Sequence, residues 1–469
     1  MKNVLTAGLL AVATATVLAQ PQSIDWSRVE AETLEHFQAV VRADTTDPPG
    51  NERPAAEYVK QVLEREGIAT RVYELEPNRL NVVARLKGNG SKRPILIMGH
   101  TDTVNVDPAK WTFPPFSATR DKGYIYGRGT VDDKDNVTAA LMTMLLLKRA
   151  NVPLARDVIF LAEAGEEGTT RVGIQFMVQQ HFAEIDAEYC LAEGGSLLRS
   201  GGRVRYASVE TAEKIPRAVQ LTATGVAGHG SVPLQTNSVV KLAQAITAAA
   251  SWKPPIQLND TTRTYFTRLA AISSPADAAR YRAVAGNDQK AAQDAVDYFA
   301  QHEPRLASTL RPSISPTIVQ GGYRVNVIPS EAKATLDVRL MSGQDPDAFL
   351  NELRRVVNDP AVRVEWIPRD VRPGTPSARL DSEGFKVLES AFARLYDTTV
   401  LPTMSTGATD MAYLREKGIQ CYGVGPALDE EDGPKGFGAH SDQERILESE
   451  LHKFVRFHYE VVRDLARTQ

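Results

Sequence analysis

Apolar and polar positions change rhythm along this chain, and the changes divide it. From Ile24 to about Glu213 helical and extended patterns alternate. "PAAEYVKQVLEREG" has apolar residues at helical spacing and stops at Gly67, which predicts an amphipathic helix. "RPILIMGH", "RDVIFLAEAGEE" and "EYCLAEGG" are short apolar runs that give way to polar residues and glycine, as strands buried on both faces do. "NVTAALMTMLLLKRA" lies between two of them and predicts a strongly apolar helix. The expectation is an α/β unit: a mixed, mostly parallel sheet with helices on both faces.

From about Lys214 the rhythm becomes two. "RAVQLTATGVAGHGS" and "EAKATLDVRL" alternate as half-exposed strands, "PDAFLNELRRVVN" is an amphipathic helix and "VRVEWIP" a further strand. Between them "DAARYRAVAGNDQKAAQDAVDYFAQ" is alanine-rich and helical. After "RPGTP" the α/β pattern returns in "GFKVLESAFARLY" and "IQCYGVG". The predicted organisation is a first domain over 24–213 and 373–469, interrupted by an α+β lid over 214–372 that carries a helical insert. No internal repeat or low-complexity tract is visible.

Residues 1–19 stand apart from this fold. They hold one lysine, an apolar stretch from Val4 to Leu18 and a small-residue ending at Ala19, the pattern of a signal peptide. The segment is short for a membrane anchor, and no other stretch is apolar enough to span a bilayer. An exported protein, periplasmic or secreted, is expected. Asn136, one of three glycosylation sequons with Asn89 and Asn259, begins the apolar helix; that placement favours a bacterial protein over a glycoprotein. The length of 469 residues suits two or three compact units. A net charge of −4 gives no footprint for nucleic acid. The only cysteines, Cys190 and Cys421, sit in apolar runs and read as buried thiols.

The chemistry is concentrated where strands end. His100 closes "RPILIMGH", Glu166 and Glu167 follow the second strand, and Glu193 follows the third. Asp132 and Asp133 come after the glycine turn "YGRG". The carboxyl ends of strands are where an open α/β sheet forms its site. Each feature alone has an ordinary reading: a surface histidine, a solvated Glu-Glu turn, a charged loop. The set as a whole has none. Histidine and carboxylates without cysteine suit catalytic zinc, manganese or cobalt, and so many carboxylates would repel one another without cations between them. One carboxylate can bridge two ions. Asp102, two residues beyond His100 on an extended chain, faces the same way and could hold the ring's second nitrogen.

The motifs "GHTDTV", "YGRGTVDDKDN", "AGEEG", "LAEGG", "GHGSVP", "NVIPSEAKATLDVRL", "GATDMAYL" and "GAHSDQERI", with "PPGNE" near the start, follow one another along nearly the whole chain. In this order they resemble the co-catalytic zinc peptidases that include aminoacylase, carboxypeptidase S, bacterial dipeptidases and succinyl-diaminopimelate desuccinylase. The nearest branch is that of carboxypeptidase S and the N-acyl-amino-acid hydrolases. The resemblance implies two Zn2+ per chain, or Co2+ or Mn2+. His100 and Glu193 would bind one, Glu167 and His440 the other, and Asp132 would bridge them. Glu166 would be the general base acting on a metal-bridging hydroxide, and Asp102 would orient His100. His229 of "GHGSVP" would supply an oxyanion donor from the lid; in dimeric relatives it reaches across from the other subunit, so a homodimer through the lid is implied as well. Asn326 and Arg339 would hold the substrate's free carboxylate, and Gly407 would line the site.

The implied activity is hydrolysis of an amide bond beside a free carboxylate, as in a carboxypeptidase, a dipeptidase or an N-acyl-amino-acid hydrolase. A specialised amidohydrolase for a conjugated amino acid is the enzymatic alternative, and a solute-binding protein of the same fold the non-enzymatic one; Glu166 argues against the latter. Two motifs depart from the family pattern. "DDKDN" stands where "DDKGG" or "DDKGP" is common, and His440 opens His-Ser-Asp-Gln-Glu rather than His-Gly-x-Asn-Glu. Neither removes a metal or catalytic position, so the departures bear on substrate preference.

Overall fold

The computed structural model describes residues 24–368 and 371–468, so the segment read as a signal peptide lies outside the described residues. The main sheet has ten strands. Its order is Thr70–Glu74, Leu80–Leu86, Val158–Glu163, Ile95–His100, Tyr189–Ala192, Gln420–Gly423, Arg203–Glu213, Ser196–Ser200 and Ala427–Asp429, with Val400–Ser405 paired to Arg203–Glu213. The centre is parallel: Ile95–His100 runs with Val158–Glu163 on one side and Tyr189–Ala192 on the other.

Every residue of Ile95–His100 and Val158–Glu163 is buried, which is why these segments read as unbroken apolar runs. Separate apolar clusters cover the two faces. The helix Lys134–Arg149 is buried as far as Leu147, because it is wedged between the sheet and the helices Trp26–Arg42 and Glu448–Ala466. Cys190 and Cys421 face each other in register across two parallel strands, as buried free thiols.

The lid is a four-stranded antiparallel sheet in the order Ser313–Gly321, Glu331–Leu340, Ile215–Thr224, Val362–Trp366. Every second residue of Glu331–Leu340 is buried, against the helices Ser238–Ser251 and Pro346–Val357. The chain passes from one sheet to the other over a single residue, Lys214. Its buried ammonium donates to the carbonyls of Ser308 and Arg311 and to Ser313 Oγ, at 2.9 to 3.0 Å.

The helical insert consists of Asp260–Ala271, Pro275–Ala285, Gln289–His302 and Pro304–Ser308. It interrupts the lid in sequence, yet it does not pack on the lid sheet. Its core of Phe266, Tyr281, Phe299 and Leu310 is completed by Leu401 of the main sheet, with Tyr206 against it. The lid's covered face is already filled by two helices. The insert therefore buries its apolar side on the strand Val400–Ser405.

Candidate active site

Strand ends build the site. His100 terminates the central strand with its ring buried. Its Nε2 lies 3.1 Å from Asp132 Oδ1. Its Nδ1 lies 3.1 Å from the backbone carbonyl of Asp102 and 3.5 Å from that residue's carboxylate. The Asp102 carboxylate is spent mainly on the neighbouring loop: Oδ1 accepts from the backbone N–H of Gly165 and Glu166, and Oδ2 from that of Glu167. Asp102 thus touches both His100 and the turn that presents the two glutamates.

Asp132 stands between two histidines. Oδ1 meets His100, and Oδ2 lies 3.0 Å from Nε2 of His440. That same Nε2 is 2.8 Å from Glu167 Oε1. His440 comes from a loop far along the chain, with a left-handed backbone (φ 62°). Glu444, four residues on, is wholly buried and fastens this loop to the one carrying Asp132, accepting from Arg128 Nη1 at 2.7 Å and from the Val131 N–H at 2.9 Å. Asp133 accepts from the His100 N–H and from the Asn136 side chain, so Asn136 is engaged inside the protein.

Ligand atoms of His100, Asp132 and Glu167 lie within 4.8 Å of one another, and so do those of His100, Glu166 and Glu193. Burial alone would depress the His100 pKa, but the carboxylates of Asp102 and Asp132 overcome it and hold it well above the ordinary value. Hydrogen bonds to Asp132 and Glu167 raise His440 to about 10. Burial pushes Glu193 well above the usual carboxylate range and raises Glu167 too. Histidines that keep their protons beside carboxylates that resist ionising mark a cluster short of positive charge. The donor set fits divalent cations: imidazole and carboxylate only, with one carboxylate offering an oxygen to each side.

Several participants are not singled out by sequence. Arg372 donates to Glu166 Oε1 at 2.6 Å and to Asp410 Oδ1 at 3.2 Å. Asp410 lies within "GATDMAYL", and Arg372 opens "RPGTP", where a lone arginine in a linker gives no periodic signal. Behind Asp102, buried Arg79 holds Glu52 through Nε and Asp47 through Nη2. The motif "PPGNE" supplies that glutamate.

Three residues implied by the resemblance are not brought to this cluster. His229 is exposed, and its ring pairs with Ser231 Oγ at 2.7 Å. Asn326 is also exposed, and its carbonyl accepts from the Gly230 N–H. Arg339 is bidentate to Asp337 within the lid sheet. His229 and Asn326 do lie together, because Gly228–His229 pairs with Val327–Ile328. Gly407 follows the strand Val400–Ser405 and donates its N–H to Ser405 Oγ, three residues before Asp410.

Comparison with known proteins agrees with this architecture. A family profile described as "Peptidase family M20/M25/M40" matches residues 96–464. The chain is 28% identical over 402 residues to probable carboxypeptidase S-like 2 of Dictyostelium discoideum, covering 82% of this chain and 76% of that protein. It is 26% identical over 382 residues to the human N-fatty-acyl-amino acid synthase/hydrolase PM20D1, covering 80% and 74%. The M20 family metallo-carboxypeptidase Sso-CP2 from Sulfolobus solfataricus superposes with a TM-score of 0.70 at 20% identity, covering 92% of this chain and 98% of that one. With its mixed sheet and its strand-end cluster of histidines and carboxylates, this chain belongs to peptidase family M20/M25/M40, the metallopeptidases and amidohydrolases.

Proposed function

We propose that the chain is an exported, dinuclear metal-dependent hydrolase that cleaves an amide bond next to a free carboxylate. The substrate is a peptide C-terminus, a dipeptide or an N-acyl amino acid. The observation that carries the reading is Asp132, with one oxygen toward His100 and the other toward His440. His100 and Glu193 would hold one ion, Glu167 and His440 the second, and Asp132 both; Zn2+ suits the donors, as would Co2+ or Mn2+. Such ions lower the pKa of water and polarise a carbonyl.

The protein's own groups supply the rest. Glu166 takes the proton of the attacking water and returns it to the departing amine nitrogen. Arg372 on Glu166 Oε1 fixes which oxygen is free for that work. Asp102 sets both the His100 ring and the Glu166–Glu167 turn. His229 donates to the developing oxyanion, and Arg339 with Asn326 receives the substrate carboxylate. Since these three lie away from the cluster within one chain, they act on lid closure or from a second subunit. A homodimer is supported by the lid's edge strand Ser313–Gly321, exposed at Ile318 and Val319, and by Val239 and Val240 on the adjacent helix. Export rests on the leader pattern of residues 1–19 alone.

The test is a metal count on the mature protein with an activity screen on dipeptides, blocked dipeptides and N-acyl amino acids, with and without chelator. About two ions per chain and chelator-sensitive release of a C-terminal amino acid are expected. No bound metal after reconstitution, or cleavage that ignores chelator, overturns the reading.

A further inference from the structure

Among the candidate metal ligands His440 alone is exposed. Its side chain is 52% exposed, against 1% for His100 and 9% for Glu167. Its backbone is left-handed at φ 62°, a conformation uncommon outside glycine that persists where the surroundings impose it. Packing around the ring does not hold this histidine in place, so the loop that carries it must be fixed at both arms.

The outgoing arm is held by buried Glu444 and by Gln443, which donates to the Lys110 carbonyl at 2.5 Å and accepts from the Thr112 N–H at 3.2 Å. The incoming arm is held by Arg445, at the start of the short strand Arg445–Leu447 that pairs with Tyr124–Tyr126. Its guanidinium carbon lies 3.8 Å from the centre of the Tyr124 ring and 3.9 Å from that of Phe437. Nη2 donates to Asp432 Oδ1 at 2.6 Å, and Nη1 to the Tyr126 hydroxyl at 3.0 Å. The Arg445 N–H donates to the Phe437 carbonyl at 3.1 Å. Tyr124 is itself fixed, its hydroxyl donating to Asp429 Oδ2 at 2.6 Å. Tyr124 and Tyr126 belong to the strand behind the loop, whereas Asp432 and Phe437 belong to the arm that leads to His440. Only Gly438 and Ala439 separate Phe437 from His440. A planar cation suits this place, since its faces stack on aromatic rings while its edge takes a carboxylate.

We propose that Arg445 is a positioning residue for one of the two ions. It clamps the incoming arm of the His440 loop and thereby sets the affinity of the site formed by His440 and Glu167, without itself touching metal or substrate. The inference rests on the dinuclear reading above and deepens it.

The experiment titrates the chelator-stripped protein with Zn2+ by calorimetry. The wild type should bind in two steps, and His440→Ala identifies the step that belongs to its site. Arg445→Met should weaken that same step by about 10- to 100-fold, the scale for groups that orient ligands, and leave the other step unchanged. Arg445→Lys should recover part of the loss, because it keeps the charge between the rings without the fork. Phe437→Leu removes one face of the sandwich and should weaken the same step by a smaller factor. Melting midpoints of the stripped proteins identify a variant that fails to fold, and Phe437→Leu and Arg445→Lys then carry the test. Both steps unchanged in the folded variants, or both weakened alike, overturns the clamp and leaves the dinuclear reading standing. A wild type that does not bind two ions overturns both.

Discussion

Oδ2 of Asp102 accepts the backbone N–H of Glu167 at 2.9 Å, while Oδ1 takes the N–H groups of Gly165 and Glu166. One carboxylate thus fixes the backbone from which Glu167, proposed as a metal ligand, and Glu166, proposed as the base, project. Asparagine has one acceptor oxygen and cannot serve three donors. Asp102→Asn should weaken metal binding by about 10- to 100-fold as well as slowing turnover, the scale for groups that position ligands. Calorimetric metal titration checks this. Normal metal affinity with slow turnover would confine Asp102 to the histidine.

Arg372 bridges Glu166 and Asp410 from the segment that returns from the lid. Without its guanidinium the Glu166 carboxylate loses a bond at 2.6 Å and its fixed direction. Arg372→Met should lower kcat by about 10- to 100-fold with metal content unchanged, since small misplacements of a reacting group cost that much. Arg372→Lys should recover part of the loss, as it keeps the charge without the fork. An unchanged kcat in the methionine variant would make Arg372 a hinge fastening only.

Much of this is legible in the sequence, for physical reasons. Strands buried on both faces leave unbroken apolar runs, so Ile95–His100, Val158–Glu163 and Tyr189–Ala192 stand out, and their polar ends mark the site. His440 is found only through resemblance, because it reaches Asp132 and Glu167 from a loop with no periodic pattern. Arg372 and Arg79 escape notice for a related reason. Their roles lie in ion pairs across long separations, to Glu166 and Glu52, and no local spacing encodes those. The helical insert is legible as helix over its alanine-rich run but not in its placement: that composition does not show that Phe299, with Phe266 upstream of the run, packs against Leu401.

Acid should act on one buried histidine outside the candidate metal-binding groups. His458 is 1% exposed on the C-terminal helix, pairs with Thr143 Oγ1 at 2.8 Å, and is pushed down by burial to about 3. Its folded pKa lies below the unfolded value near 6.5, so the unfolded chain binds the extra proton between them. The stabilisation from keeping it neutral is complete above about pH 6.5 and is lost as pH falls toward 3, by up to about 1.4 kcal/mol per unit. Denaturant midpoints for wild type and His458→Gln at pH 7.5, 6 and 5 should converge on acidification, metal loss being common to both. Parallel curves would mean that His458 titrates normally.

His229 is exposed, its ring pairs with Ser231 and its backbone with Val327, while the lid's edge strand is open at Ile318 and Val319. If a two-fold dimer carries His229 into its partner's site, two inactive variants should complement each other. Glu166→Gln loses the base of its own site, and His229→Ala loses the donor to the other. In a mixed dimer one site then carries both defects and the other carries none. Equal mixing and reassociation should restore about a quarter of wild-type activity from two nearly inactive stocks, as random pairing across a two-fold axis requires. A chain that uses its own His229 gives mixtures no more active than their components, because each subunit keeps its own defect.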